Sequence, residues 1–341
     1  MIRQPVRTRG KWFDLVTAIP LPHLGMGTAA IGNLYQPTSD AEARETVIAA
    51  VAAGIGYFDT APHYGFGLAE RRLGDALAEA DPRGTAIIST KVGRLLVPTD
   101  LTGERHGFVD ADPFEPVFDY SADAIRRSHE ASLRRLRRDR VEILLAHDLG
   151  RMTHGDGHPA HLRTFLDSGY AAMRALRDSG AVDAIGIGVN EVAICEELLG
   201  RVDLDLILLA GRHTLLDRTS ATALFETCEK RGVRIVIGGP YNSGILAREG
   251  VGAATGLHYD YRPPKPDILA RAIRIEAICA GFGVPLPAAA LQFPLRQKQV
   301  AAVIPGMVGA EQIAASITRL ATPIPEALWA ALDEEENLIV S

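Results

Sequence analysis

Eight short apolar runs, each followed by a stretch of helical spacing, constrain this chain more than any other feature. The runs are Leu24 to Ile31, Ile55 to Phe58, Ala86 to Thr90, Val141 to Ala146, Val182 to Ile187, Leu204 to Leu209, Val233 to Ile237 and Val300 to Ile304. None alternates apolar with polar residues, so each reads as a strand buried on both faces, as in a parallel sheet covered by helices. The intervening helices are expected at 40–53, beginning with Asp40 as cap, 68–80, 122–136, 165–179, 191–199, 220–231, 266–280 and 310–320, with an extra helical stretch at 287–295. Unbroken alternation of this kind favours a closed (β/α)8 TIM barrel over an open doubly wound sheet. No linker-like composition divides the 341 residues, so one barrel domain spanning 1–341 is expected, with an N-terminal arm over 1–20 and a C-terminal helical extension over 321–341.

Three connections exceed the usual length and all follow a strand's C-terminal end: Val92 to Ser121, Asp148 to Thr164 and Gly238 to Lys265. Barrels carry their chemistry on that face. Phe108, Phe114, Phe118, Tyr120, Tyr259 and Tyr261 in these loops are therefore candidates to line a pocket. The net charge of −6 and a pI near 5.9 supply no basic field for nucleic acid or an anionic membrane. Arg134, Arg135, Arg137, Arg138 and Arg140 cluster at a helix end without interleaved aromatics, which suits a helix dipole better than a nucleic-acid groove. Cys195, Cys228 and Cys279 are few, odd in number and widely spaced, as in a reducing cytoplasm. Pro20 and Pro22 break the only apolar stretch behind the early basic residues, so no signal peptide is expected, and no window approaches the length of a membrane span.

The strand-closing residues concentrate chemistry. Asp59 ends the second run, Lys91 the third and His147 the fourth, while Tyr64 follows Asp59 on the next turn. A lysine ending a buried strand needs a counter-charge, which Asp59 on the neighbouring strand can supply. Lys91 beside the Tyr64 hydroxyl is expected to favour the phenolate and lower its pKa, and neutral His147 to orient a substrate oxygen. Two rival signals are weaker. Gly25-Met26-Gly27-Thr28-Ala29-Ala30 satisfies a dinucleotide fingerprint, but Gly32, Asn33 and Pro37 interrupt the helix that the fingerprint requires. His154, His158 and His161 have near ligand-like spacing, but Gly155, Gly157 and Pro159 argue for a loop, so no metal site is expected.

These residues resemble the aldo-keto reductases. The resemblance rests on Gly54-Ile55-Gly56-Tyr57-Phe58-Asp59-Thr60-Ala61, Tyr64-Gly65, Glu70-Arg71-Arg72-Leu73-Gly74, Lys91, His147 and Val303-Ile304-Pro305-Gly306, and covers nearly the whole chain. It implies a barrel that moves hydride between a nicotinamide cofactor and a carbonyl or alcohol, with Asp59, Tyr64, Lys91 and His147 as its catalytic tetrad. It also implies cofactor contacts at Thr28, Asn190, Gly239, Pro240, Gly244, Pro305, Gly306 and Gln312. The chain departs from the family where a glutamine and a stacking tyrosine are usual, at Ala210 and Gly238. Met307-Val308-Gly309-Ala310 lacks the cation of NADP-preferring relatives, so NAD is the expected cofactor.

His147-Asp148-Leu149-Gly150, Ala210-Gly211-Arg212-His213-Thr214-Leu215-Leu216 and Gly239-Pro240-Tyr241-Asn242-Ser243-Gly244 resemble the NAD-linked aldose 1-dehydrogenases (threo-aldose, fucose or galactose) and the pyridoxal 4-dehydrogenases. That subgroup commonly has tyrosine where His213 stands, a departure that bears on substrate choice. The resemblance implies oxidation of an aldose at its anomeric carbon to a lactone, or of pyridoxal to 4-pyridoxolactone. A non-catalytic NAD-binding regulator on the same barrel is a third reading, disfavoured by the complete tetrad. Small-molecule substrates are the expected partners, with neither nucleic acid nor membrane; the sequence does not set the oligomeric state.

Overall fold

In the computed structural model, which describes the backbone of residues 19–340 and the side chains of 19–336, eight parallel strands are paired in the order β1, β2, β3, β6, β7, β8, β9, β10. Their ranges are Met26–Gly27, Tyr57–Asp59, Ile87–Val92, Ile143–His147, Ala184–Val189, Leu206–Ala210, Arg234–Gly238 and Val300–Ile304. A two-stranded antiparallel hairpin, β4 (Arg94–Pro98) with β5 (Phe114–Phe118), stands apart from them. The circle closes through parallel bridges Leu24↔Val303 and Gly27↔Gly306. The (β/α)8 barrel expected from the alternation is therefore the fold. The expected N-terminal arm lies almost wholly outside the described residues, and the C-terminal extension is a helix, Glu326–Val340.

Strand alternation sorts the core into two parts. Tyr57, Ile143, Leu145, Leu206, Leu208, Val236, Ala302 and Ile304 fill the barrel interior. Phe58, Ile88, Leu144, Ile207, Ile235 and Val303 point outward into the larger layer beneath the helices. Apolar residues on both faces are what the uninterrupted runs required.

The motif Glu70-Arg71-Arg72-Leu73-Gly74 ties the helix after β2 to its surroundings. Fully buried Glu70 accepts from Thr90 Oγ1 at 2.5 Å and Arg135 Nε at 2.7 Å, joining β3 to the helix Ala122–Leu136. Arg72 donates to Ile31 O, Asn33 Oδ1 and Thr38 O at 2.7–2.8 Å, pinning the loop after β1. A Cβ on Gly74 would lie 2.6 Å from the backbone of Arg135 and Leu136, so glycine permits the close helix approach. The arginine cluster is likewise structural, since Arg135, Arg137, Arg138 and Arg140 pair with Glu70, Asp75, Asp81 and Asp183.

Several local expectations are corrected. The first run is extended only over Met26–Gly27, because Ala30–Gly32 turns into a single 3-10 turn ended by left-handed Asn33. Ser39, not Asp40, caps the first helix, its hydroxyl accepting from Glu42 N at 3.1 Å. The first long connection contains the β4–β5 hairpin. The second is helical from Arg151 onward and passes through a π-helical turn, Phe165–Gly169, into the helix Tyr170–Asp178. His154, His158 and His161 consequently lie on helical turns and not in a loop, yet they diverge. His158 Nδ1 pairs with Leu149 O at 3.0 Å, whereas the His154 and His161 rings meet at a tilt, 4.1 Å apart, near Tyr120. No group of three or more potential ligands suits a metal ion among the described residues. Nor is any single described helix long and apolar enough to cross a membrane.

Candidate active site

The C-terminal ends of β2, β3 and β6, with the turn after β2, bring Asp59, Lys91, His147 and Tyr64 together. Lys91 Nζ, 1% exposed, lies 2.7 Å from Asp59 Oδ2, 2.9 Å from Thr60 O and 3.1 Å from Tyr64 Oη. Three acceptors around one ammonium satisfy all three of its donors, which is how a charge this deeply buried is tolerated. Ser89, paired with Asp59 in the β2–β3 register, donates to Asp59 Oδ1 at 2.7 Å, and Tyr57 Oη reaches Ser89 Oγ at 3.0 Å. A continuous polar chain thus runs from the barrel interior through Asp59 and Lys91 to the Tyr64 hydroxyl. On the opposite flank, the Cβ absent from Gly188 would lie 3.1 Å from Lys91 Cε, so glycine makes room for the lysine stem.

His147 closes the constellation, its ring meeting Tyr64 edge-on at 6.1 Å and His63 at 5.9 Å. Burial, then the positive charges of Arg94 and Lys91, push its pKa well below the ordinary histidine value, so the imidazole is neutral as expected. Tyr64 reverses the expectation. Burial first, and then the carboxylate of Asp59, raise its pKa well above 10. Asp59 neutralises Lys91, leaving no net positive charge to favour the phenolate. Burial also raises the Asp59 carboxyl, against the opposing pull of Lys91.

The walls come from the hairpin and two loops. Phe108 packs against Tyr64 at 6.4 Å and His63 at 5.4 Å, while Tyr261 Oη lies 3.3 Å from Asn190 Nδ2. Phe118 and Tyr120 serve the hairpin and the helical segment after β6: the Arg94 guanidinium lies over the Phe118 ring at 4.9 Å, and Tyr120 Oη donates to His147 O at 2.6 Å. Phe114 is on β5, and Tyr259 pairs with Arg262 within its own loop.

Sequence reasoning passed over Arg94 and Asp148. Arg94 Nη2 pairs with Asp148 Oδ2, and the same carboxylate oxygen is 3.4 Å from His147 Nε2. Their positions held the clue, since Asp148 directly follows a strand-end histidine and Arg94 stands three residues beyond a strand-end lysine.

The residues expected at a cofactor line the adjoining strand ends. Ala210 and Gly238 are register partners, and a Cβ on Gly238 would meet Ala210 Cβ at 3.2 Å, leaving a flat floor of small groups. Tyr261 brings an aromatic side chain to Asn190 from another loop. Beyond Gly239 and buried Pro240, Asn242, Ser243 and Gly244 have successive φ values of 46°, 58° and 100°. No atom lies within 4 Å of the Cβ position of Gly244. The turn is held by its own backbone, with Asn242 N donating to Gly239 O at 2.9 Å and Gly244 N to Tyr241 O at 3.0 Å. Pro305 O accepts from Gly27 N at 2.9 Å, Gly306 is exposed, and Gln312 Oε1 accepts from Val308 N at 3.1 Å at the start of the helix Gly309–Ala321. Thr28 Oγ1 donates to Asp59 O at 2.9 Å, bracing the carboxylate's own strand.

His213 lies elsewhere. It packs against Phe225 and Phe293 at 4.5 and 5.0 Å and lines a polar cavity of about 410 Å³ with Arg218, Arg296, Asp333 and Glu336, which includes none of the four clustered residues.

Residues 23–337 match the Aldo/keto reductase family. The chain is 40% identical to the pyridoxal 4-dehydrogenase of Microbacterium luteolum over 94% of its own length and 95% of the relative's. It is 38% identical to the D-threo-aldose 1-dehydrogenase of a Pseudomonas species, over 93% and 94% of the two chains. Among solved structures, an aldo-keto reductase from Bacillus halodurans in its holo form superposes with a TM-score of 0.69 at 25% identity, covering 92% of each chain.

Proposed function

The chain belongs to the aldo/keto reductase family and is an oxidoreductase that works with a nicotinamide cofactor on a small molecule; from that premise we propose that it is an NAD-linked dehydrogenase of cyclic hemiacetals. The favoured substrate is an aldose of the L-fucose, D-threo-aldose or galactose type, oxidised at its anomeric carbon to a lactone. Pyridoxal is the second reading, favoured by the 40% identity to a pyridoxal 4-dehydrogenase. Its hemiacetal presents the same group, a hydroxyl-bearing ring carbon, and yields 4-pyridoxolactone.

The observation that carries this reading is Lys91 Nζ in simultaneous contact with Asp59 and Tyr64. When bound, the oxidised nicotinamide supplies the acceptor for the hydride leaving the hemiacetal carbon. Tyr64 Oη takes the hydroxyl proton as the carbon–oxygen double bond forms. Lys91 fixes the direction of that hydroxyl, and Asp59 holds Lys91. Neutral His147 donates from Nε2 to the substrate oxygen and orients it towards Tyr64.

The residues present fit a dinucleotide. The floor of Ala210 and Gly238 admits a flat ring, with Asn190 at its carboxamide; Thr28 braces Asp59 beneath it. The small residues at Gly239, Pro240 and Gly244 leave space for a pyrophosphate, and Pro305, Gly306 and Gln312 border the helix start at Gly309, whose backbone N–H groups suit an anion. That start is occupied by Gly309, Ala310 and exposed Glu311, with an acid and no cation in its first turn. A ribose 2′-phosphate would meet like charge there, which supports NAD over NADP. Three buried, unpaired cysteines, Cys195, Cys228 and Cys279, support a reducing cytoplasm.

A panel of aldoses and pyridoxal, each with NAD and with NADP, followed by reduced-cofactor absorbance, tests the reading. Absence of turnover across the panel overturns the dehydrogenase assignment, and faster turnover with NADP overturns the cofactor preference.

A further inference from the structure

The tetrad positions the reacting hydroxyl but makes no use of the carboxylate beside it. Asp148 is largely buried, with 14% of its side chain exposed, and Arg94 is 9% exposed. Asp148 Oδ2 is held by Arg94 Nη2 and lies 3.4 Å from His147 Nε2, the nitrogen that faces the substrate oxygen in the reading above. The side-chain hydrogen bond from Arg94 runs to Oδ2 and not to Oδ1. The guanidinium is itself fixed against the Phe118 ring, and Asp148 N donates to Gly188 O at 2.9 Å. Asp148 adopts a left-handed φ of 48°, an uncommon conformation for a side-chain-bearing residue and one that aspartate and asparagine tolerate best.

We propose that Asp148, braced by Arg94, is a substrate-binding residue that accepts a hydrogen bond from the hydroxyl neighbouring the reacting carbon, and so selects hemiacetals bearing a vicinal O–H donor. The proposal rests on the dehydrogenase reading. Adjacent hydroxyl oxygens of a ring lie within about 3 Å of each other, the span of one hydrogen bond. An oxygen bound at His147 Nε2 therefore places its neighbour within reach of the Asp148 carboxylate. An aldose carries that donor on C2; in the pyridoxal hemiacetal the nearest hydroxyl is on ring C3, one atom further from the reacting carbon, so the selection argued here belongs to the aldose reading. A buried carboxylate already paired with Arg94 stays an acceptor, and a substrate lacking the donor leaves it unpartnered, which costs binding heavily.

The test compares a parent aldose with its 2-deoxy analogue, which lacks the donor, in wild type, Asp148→Gly and Asp148→Asn. Glycine suits the left-handed backbone and removes the acceptor; asparagine keeps a neutral oxygen. In wild type the parent is expected to be favoured in kcat/KM by about 100-fold or more. In Asp148→Gly the parent falls towards the analogue, whose own value moves less than about twofold, and Asp148→Asn recovers part of the discrimination. Thermal unfolding and NAD binding check the fold of each variant, and Asp148→Gly with Arg94→Met gives the same comparison without an unpaired guanidinium. Unchanged parent-to-analogue discrimination in a folded variant lacking Asp148 overturns the proposal while leaving the dehydrogenase reading intact. Wild type active on pyridoxal but on no aldose overturns the proposal alone, and wild type inactive on pyridoxal and on every aldose overturns both.

Discussion

Gly188 and Lys91, on strands that flank β6, are fitted to each other: the Cβ that Gly188 lacks would stand 3.1 Å from Lys91 Cε and 3.4 Å from Cδ. The lysine stem reaches Asp59 and Tyr64 by passing over that bare backbone. Gly188→Ala should therefore push Lys91 aside without touching the chemistry directly. We expect kcat to fall by about 10-fold to 100-fold, as small misplacements of catalytic groups do, with little change in thermal stability. Steady-state kinetics beside thermal unfolding checks this; unchanged kcat would show that Lys91 needs no such clearance.

In the proposed mechanism Tyr64 sets the pH dependence of the reaction. Burial and Asp59 raise its pKa well above 10, so the form able to accept a proton is scarce near neutrality. Oxidation, which needs that form, should accelerate as pH rises through the alkaline range, whereas carbonyl reduction, which needs the protonated hydroxyl, should be supported at neutral pH. Tyr64→Phe should abolish turnover in both directions and preserve NAD binding by fluorescence titration. A pH-independent oxidation rate between pH 7 and about 9.5 would remove Tyr64 from the proton transfer.

The buried ion pair should be costly to break from one side. Lys91→Met strands Asp59, and a loss of about 3–5 kcal/mol is expected near neutral pH. The second change Asp59→Asn, which removes the stranded charge, should recover much of that stability and none of the activity. Because burial raises the Asp59 pKa, the single variant should also regain stability as the solution is acidified and the carboxyl takes up a proton. Denaturant unfolding across pH measures all three expectations.

His213 should contribute to acid sensitivity. Its burial lowers the imidazole pKa to about 4, below the ordinary 6.5. The folded state thus binds fewer protons than the unfolded one within that window. Its contribution is intact above about pH 6.5 and is lost as pH falls towards 4, by up to about 3 kcal/mol. His213→Phe should flatten the stability profile between those values and leave turnover unchanged. A profile as steep as that of wild type would mean that other groups carry the acid transition.

The chain by itself determined the barrel, because strands buried on both faces must be apolar throughout and the helices between them must show a 3.6-residue period. It also determined Asp59, Lys91 and His147 as neighbours, since residues that end consecutive parallel strands share one face. Tyr64 followed from its short tether to Asp59. The short first strand, the hairpin and the helical His154–His161 segment were not legible in this way, because glycine and proline mark breaks without saying what lies between them. Tertiary structure alone decided the electrostatics. Whether Lys91 lowers the Tyr64 pKa depends on the net charge around a buried hydroxyl, and Asp59 at 2.7 Å cancels the lysine. The pairing of Arg94 with Asp148 joins residues 54 positions apart through the packing of the hairpin against the end of β6, a contact that no local pattern encodes.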